Sequence, residues 1–199
     1  MNYISLDIET TGLDPDVCDV LEVGAYYEDT EARASRDRLP CFHKYIWKPT
    51  YNGEPYALAM NQRIFQKINE LKKEWDKTGF RPAELTTLDD LTRDFIEWLQ
   101  RYDINLPIPI GGKNVAGFDL PFMRNFQGWA SLKFHHRVID PGMLYFDALN
   151  DKVPPDLKEC KKRARLPEHV SHEALDDAWD VIQLVREKFP MSTTTGLVP

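Results

Sequence analysis

Apolar and polar positions alternate from the third residue onward. Ile4, Leu6 and Ile8 interleave with Tyr3, Ser5, Asp7 and Glu9, a period of two that predicts a strand with one apolar face. The strand runs into Thr10-Thr11-Gly12 and a loop at Leu13-Asp14-Pro15-Asp16. Val20, Leu21, Val23, Ala25, Tyr26 and Tyr27 predict a second strand from about Asp19 to Glu28, and a third spans Phe42 to Trp47 before Lys48-Pro49. No helical pattern separates the three, so an antiparallel meander is expected.

Beyond this meander the period lengthens. After a loop over residues 50–56, Leu58, Ile64, Phe65, Ile68, Leu71 and Trp75 predict one helix from Ala57 to Trp75, broken by Gly79 and Pro82. Thr87 and Asp90 resemble a capping box that opens a second helix with Leu88, Leu91, Phe95, Ile96, Trp98 and Leu99 as its buried stripe. A strand is expected at Pro107–Ile110, helical turns through Phe122, Met123 and Phe126, a fifth strand at Val138-Ile139, and a short helix from Pro141 to Leu149. The last helix runs from Glu173 to Phe189. Asp177 borders its stripe of Ala174, Ala178, Val181, Ile182 and Val185, whereas Asp176 and Asp180 fall on the wet face. The expected fold is a mixed α/β sheet flanked by helices, as a single domain over residues 1–190. Residues 191–199 form a polar tail, expected to be disordered or a vector remnant because Leu197-Val198-Pro199 resembles the start of a thrombin site.

Composition narrows the class. The chain has 199 residues, 42% hydrophobic and 29% charged, ordinary for a soluble domain. No apolar run approaches the roughly 20 residues of a membrane span, and no basic leader precedes the first strand. Cys18, Cys41 and Cys160 are sparse and widely spaced, which predicts reduced thiols and a cytoplasmic location, with no membrane partner. A net charge of -7 argues against coating long nucleic acid by general attraction, yet leaves room for binding a chain end. Every charge from Asp7 to Glu31 is negative, while Lys158, Lys161, Lys162, Arg163 and Arg165 form a basic cluster, either a phosphate-facing patch or a solvated helix face.

The acids carry the candidate chemistry. Asp7 and Glu9 lie two residues apart on one strand face, an advance of about 6.6 Å, so they can flank a small cation; two acids solvating an open strand face is the competing reading. Asp119 stands at a strand-to-helix junction, and His172 and Asp177 surround a helix start. In an α/β sheet such positions converge on one edge. Four carboxylates brought together repel, and two divalent cations would neutralise them; an oxygen-rich set without cysteine favours Mg²⁺ or Mn²⁺. A pair of such ions about 3.5–4 Å apart activates phosphodiester bonds toward hydrolysis. His43, His135, His136 and His169 read as structural or surface residues, and Asp140, before Pro141-Gly142, as the organiser of its turn.

Asp7-Ile8-Glu9-Thr10-Thr11-Gly12, Asn114 to Asp119 with Phe118-Asp119, and His172 followed five residues later by Asp177 resemble the three motifs of the DEDDh, or DnaQ-like, exonucleases. The resemblance runs in order from residue 3 to about 186. It implies a ribonuclease-H-like fold and metal-dependent removal of nucleotides from the 3′ end of single-stranded DNA or RNA, releasing nucleoside 5′-monophosphates. It further implies that Asp7, Glu9, Asp119 and Asp177 hold two metal ions and that His172 is the general base. An imidazole with an unperturbed pKa near 6.5 suits that role at neutral pH. Thr10, Thr11 and Gly12 would then bind the terminal nucleotide through backbone and hydroxyl groups, with Leu13 against its base. Phe118 and Phe122 read first as core residues, with base stacking as the alternative. Asn114 lies five residues before Asp119, where some family members have it four before. Family members also pair as homodimers or join polymerases. Two other classes remain open at this point: an idle module that grips a polymerase or a nucleic-acid end, and a phosphoesterase acting on small molecules.

Overall fold

A computed structural model describes residues 1–190; the tail expected from residue 191 onward lies outside the described residues. Strand β1 (Asn2–Thr10) pairs antiparallel with β2 (Val20–Asp29), which pairs antiparallel with β3 (Cys41–Trp47). Helices α1 (Pro55–Met60) and α2 (Gln62–Thr78) lead to β4 (Leu85–Thr87), parallel to β3, and then to α3 (Leu91–Arg101). Strand β5 (Ile110–Gly111) lies parallel beside β1 and is followed by α4 (Asp119–Met123), α5 (Pro141–Leu144), α6 (Leu157–Arg163) and α7 (Ala174–Lys188). The sheet order is β4-β3-β2-β1-β5.

The alternation along β1 decides what covers each face. Ile4, Leu6 and Ile8 join Val23, Ala25, Phe42 and Ile46 in a core closed by Leu91, Phe95 and Trp98 of α3 and by Phe122 and Met123 of α4. Tyr3 and Tyr26 meet Ala178, Ile182 and Val185 of α7 on the other face. The face that begins polar is therefore covered too, and the buried Ser5 hydroxyl is satisfied by donating to the Ala178 carbonyl at 2.7 Å. Gly24, paired in register with Asp7, permits the approach of α7. A Cβ there would stand 2.4 Å from the backbone of Ala174 and Leu175, so the start of α7 rests on the β2 backbone beside β1. Tyr3 and Ser5 lie beneath the helix, and Asp7 and Glu9 emerge at its N-terminal end.

Several sequence expectations are corrected by tertiary contacts. The single helix expected over residues 57–75 is two, divided at Asn61, and Pro55 opens the first instead of lying in a loop. Thr87 ends β4 and forms no capping box: Asp90 is the N-cap of α3 and its side chain makes no capping bond. Leu88 is exposed rather than part of the stripe. Val138-Ile139 contributes only an isolated bridge from Ile139 to Gly111, and the helix expected to reach Leu149 ends at Leu144. Asp180 is not on a wet face, because α6 folds over it and the buried Lys161 pairs with its carboxylate. Lys161 accordingly leaves the solvated basic cluster. Asp176 is half-buried and paired with Arg36.

Candidate active site

Asp7 and Glu9 project from one face of β1 near its C-terminal end, as the period of two requires. β5 pairs with β1 only at Ile4 and Ser5, so the edge of β1 is open beyond that point. Asp119 fills part of the gap, its Oδ1 accepting the Ile8 backbone N–H at 3.1 Å. That bond sets a carboxylate from the first turn of α4 beside Asp7. From the opposite side, the first turn of α7 presents Asp177, and the loop before it presents His172 in the left-handed region at φ +54°. Ligand atoms of Glu9, His172 and Asp177 all lie within 4.8 Å of one another. His172 is exposed at the lip, whereas Glu9 and Asp177 are buried.

The acids titrate as a group held out of water. Burial, followed by repulsion from Asp119, Asp177 and Glu9, holds the Asp7 carboxyl well above the usual carboxylate range. Burial and the charges of Asp177, Glu22 and Asp119 push Glu9 up to about 8. Asp119 is pushed up to about 7 by burial, against the pull of its own backbone N–H and that of Ile8. Asp177 also reaches about 7, raised by burial and Asp180 and lowered in part by Lys161. Such a cluster is unfavourable when ionised unless a cation balances it.

The residues present fit that cation. Asp177 is only 5% exposed, and its Oδ1 has no hydrogen-bond partner among the described residues. The donor atoms are carboxylate oxygens with one imidazole nearby and no thiolate, the set that suits hard divalent ions.

The motif that follows Glu9 is held by hydrogen bonds of its own. Thr11 is fully buried, and its hydroxyl accepts the Asp19 N–H at 2.7 Å and donates to the Asn52 carbonyl. The Thr10 hydroxyl donates to the Gly12 carbonyl at 2.7 Å, and the Thr10 carbonyl accepts from Asn61 Nδ2 at 2.8 Å. Both hydroxyls thus bond within the turn and its neighbours, fixing the conformation of the segment that follows Glu9. Leu13, 73% exposed beside this turn, remains available to a ligand.

Two buried charges at the site carry no motif signal. Glu22, fully buried, stands opposite Glu9 in the β1–β2 register, with one carboxylate oxygen 2.6 Å from His43 Nε2 and the other without a partner among the described residues. A glutamate inside the apolar run Val20–Ala25 is the only sequence hint of it. Lys161 bonds both Asp180 and the His169 carbonyl, tying the loop that carries His172 to α7. Asp140 accepts the N–H groups of Gly142 at 2.7 Å and Asn114 at 3.0 Å, holding the segment that leads to Asp119, and the Phe118 ring packs at a tilt against the buried Phe122, 5.1 Å between centroids.

No protein-family model and no curated protein matches the sequence. Solved structures do. The zinc-bound form of E. coli exonuclease I with single-stranded DNA aligns with a TM-score of 0.59 and 18% identity, over 95% of this chain and 41% of that one. Cell-death related nuclease 4 aligns at 0.62 and 14%, over 96% and 64%. The nuclease domain of 3′hExo, a DEDDh family member bound to rAMP, aligns at 0.60 and 12%, over 92% and 89%. The chain therefore spans less than two thirds of the first two. At these identities the likeness is one of fold: a mixed sheet between helices, the ribonuclease-H-like architecture that the sequence led us to expect.

Proposed function

We propose that this chain is a metal-dependent 3′-to-5′ exonuclease that hydrolyses the terminal phosphodiester of single-stranded nucleic acid and releases nucleoside 5′-monophosphates. The observation that carries the reading is the convergence of Asp7, Glu9, Asp119 and Asp177 on one spot, with a buried, unpartnered oxygen on Asp177. The fold it shares with known exonucleases supports the same reading.

Asp7, Glu9, Asp119 and Asp177 would hold two Mg²⁺ or Mn²⁺ ions. When bound, these ions supply charge neutralisation, polarisation of the scissile phosphate and stabilisation of the leaving oxygen. The remaining work belongs to the chain. His172, exposed and within 4.8 Å of Glu9 and Asp177, accepts the proton of the attacking water. Its left-handed backbone and the Lys161 bond to the His169 carbonyl orient the imidazole over the carboxylates. Leu13 packs against the terminal base, and the Gly12 backbone lies beside the terminal sugar.

A complete set of four acids and one histidine favours an active enzyme over an idle binding module. Product analysis tests the reading: Mg²⁺ or Mn²⁺ should release 5′-monophosphates from a single strand, and a chelator should stop it. Release of 3′-monophosphates, or reaction only with small phosphate esters, contradicts it.

A further inference from the structure

The twenty residues from Leu120 to Ile139 hold no acid, in a chain with 32 of them. They begin one residue after Asp119 and fold into a cleft of about 490 Å³ lined in part by Ala116 and Leu120, which flank Asp119 closely in sequence. Arg124 and Lys133 line it and are exposed, and neither forms an ion pair among the described residues. No carboxylate lines the cleft. About half of the other arginines and lysines of the described chain pair with a carboxylate, as Arg81 does with Asp90 and Asp94 and Arg163 with Asp151.

Aromatic surface accompanies the charge. His135 and His136 stack at 4.5 Å between centroids, with His136 exposed, and Phe134 and Trp129 form the apolar wall. Cations and rings that line one cleft without acids are the combination that grips a single strand through phosphates and stacked bases. Arg124 caps α4 and lies five residues from Asp119, about 7.5 Å along a helix axis. A stacked strand following α4 at about 3.4 Å per nucleotide would bring its second or third nucleotide from the cleaved end to Arg124.

We propose that this cleft is a second binding site, which holds the sugar-phosphate backbone of the substrate strand on the 5′ side of the scissile bond. Arg124 and Lys133 contact phosphates, and His136 offers a stacking face. The proposal rests on the exonuclease reading for its polarity. It makes the preferred substrate a single strand of several nucleotides, held by a local positive surface on an acidic protein.

The test is binding of a 5′-fluorescein-labelled oligothymidylate of twelve nucleotides to the full chain in chelator, compared with thymidine 5′-monophosphate. The double variant Arg124→Gln/Lys133→Gln should weaken binding of the twelve-mer about tenfold and lower the slope of its log-log salt dependence by about 1.4, two phosphate contacts at about 0.7 each. Monophosphate affinity should hold. Lys73→Gln, an exposed lysine on α2, is the control and should change nothing. Wild-type affinity and slope in the double variant would overturn the proposal, as would equal loss for the monophosphate. Cleavage in Mg²⁺ is scored separately, so binding of the twelve-mer without turnover would sink the exonuclease reading and leave the cleft standing.

Discussion

Glu9 and Glu22 face each other across β1 and β2, both buried, and His43 Nε2 lies 2.6 Å from the Glu22 carboxylate. Like charges directly opposite on a sheet destabilise it. Replacing Glu22 by Gln retains a partner for His43 and removes the repulsion on Glu9. We expect E22Q to stabilise the metal-free protein by about 1 kcal/mol, a rise of about 2–4 °C in Tm at this chain length, while weakening divalent-cation affinity in calorimetric titration. A lower Tm would show that Glu22 serves the fold and not the potential at the site.

The acid cluster also fixes a pH dependence. Folding raises Glu9 to about 8 and Asp119 and Asp177 to about 7, from unfolded values near 4. A carboxyl raised in the folded state binds its proton more tightly there, so its contribution is full below about pH 4 and is lost as pH rises through 7 to 8. Adding Mn²⁺, which needs the ionised form, should therefore raise Tm more at pH 8 than at pH 5.5. Equal shifts at the two pH values would argue that the ion binds elsewhere.

Loss of the general base should separate chemistry from binding. His172→Ala is expected to lower kcat by about 10²–10⁴-fold while its Tm stays within about 1 °C, since an exposed side chain contributes little to the fold. Retained turnover would remove His172 from the base role.

Position matters as much as chemistry at the start of α7. Gly24→Ala puts a methyl 2.4 Å from the α7 backbone. The helix must shift, at a cost of about 1–3 kcal/mol, and it carries Asp177 and His172 with it. We expect turnover to fall at temperatures where circular dichroism still finds the protein folded. Full activity in a folded G24A would mean that the site tolerates the displacement.

The opening strand was legible because its period of two is local, and the five residues of the candidate site because they sit in recognisable spacings at element ends. What escaped depends on distant partners. β4 has three residues and exists through pairing with β3, while β5 has two and exists through pairing with β1. The break at Asn61 accompanies a side chain turned to the Thr10 carbonyl, 51 residues away. Asp180 looked solvated on its own helix and is buried by Lys161 from another. The partners of the Thr11 hydroxyl, Asp19 and Asn52, likewise come from other parts of the chain. In each case a neighbour across space, which the pattern along one element does not contain, decided the outcome.

The central claim is that Asp7, Glu9, Asp119 and Asp177 form one cation-binding site for removing nucleotides from a 3′ end. It is tested most directly by incubating a 5′-labelled single strand with Mn²⁺ and either the native chain or Asp119→Asn. We predict a ladder that shortens by one nucleotide at a time with the native chain, and an intact strand with the folded variant. An unchanged strand with the native chain, scattered internal cuts, or an unimpaired D119N would contradict the account.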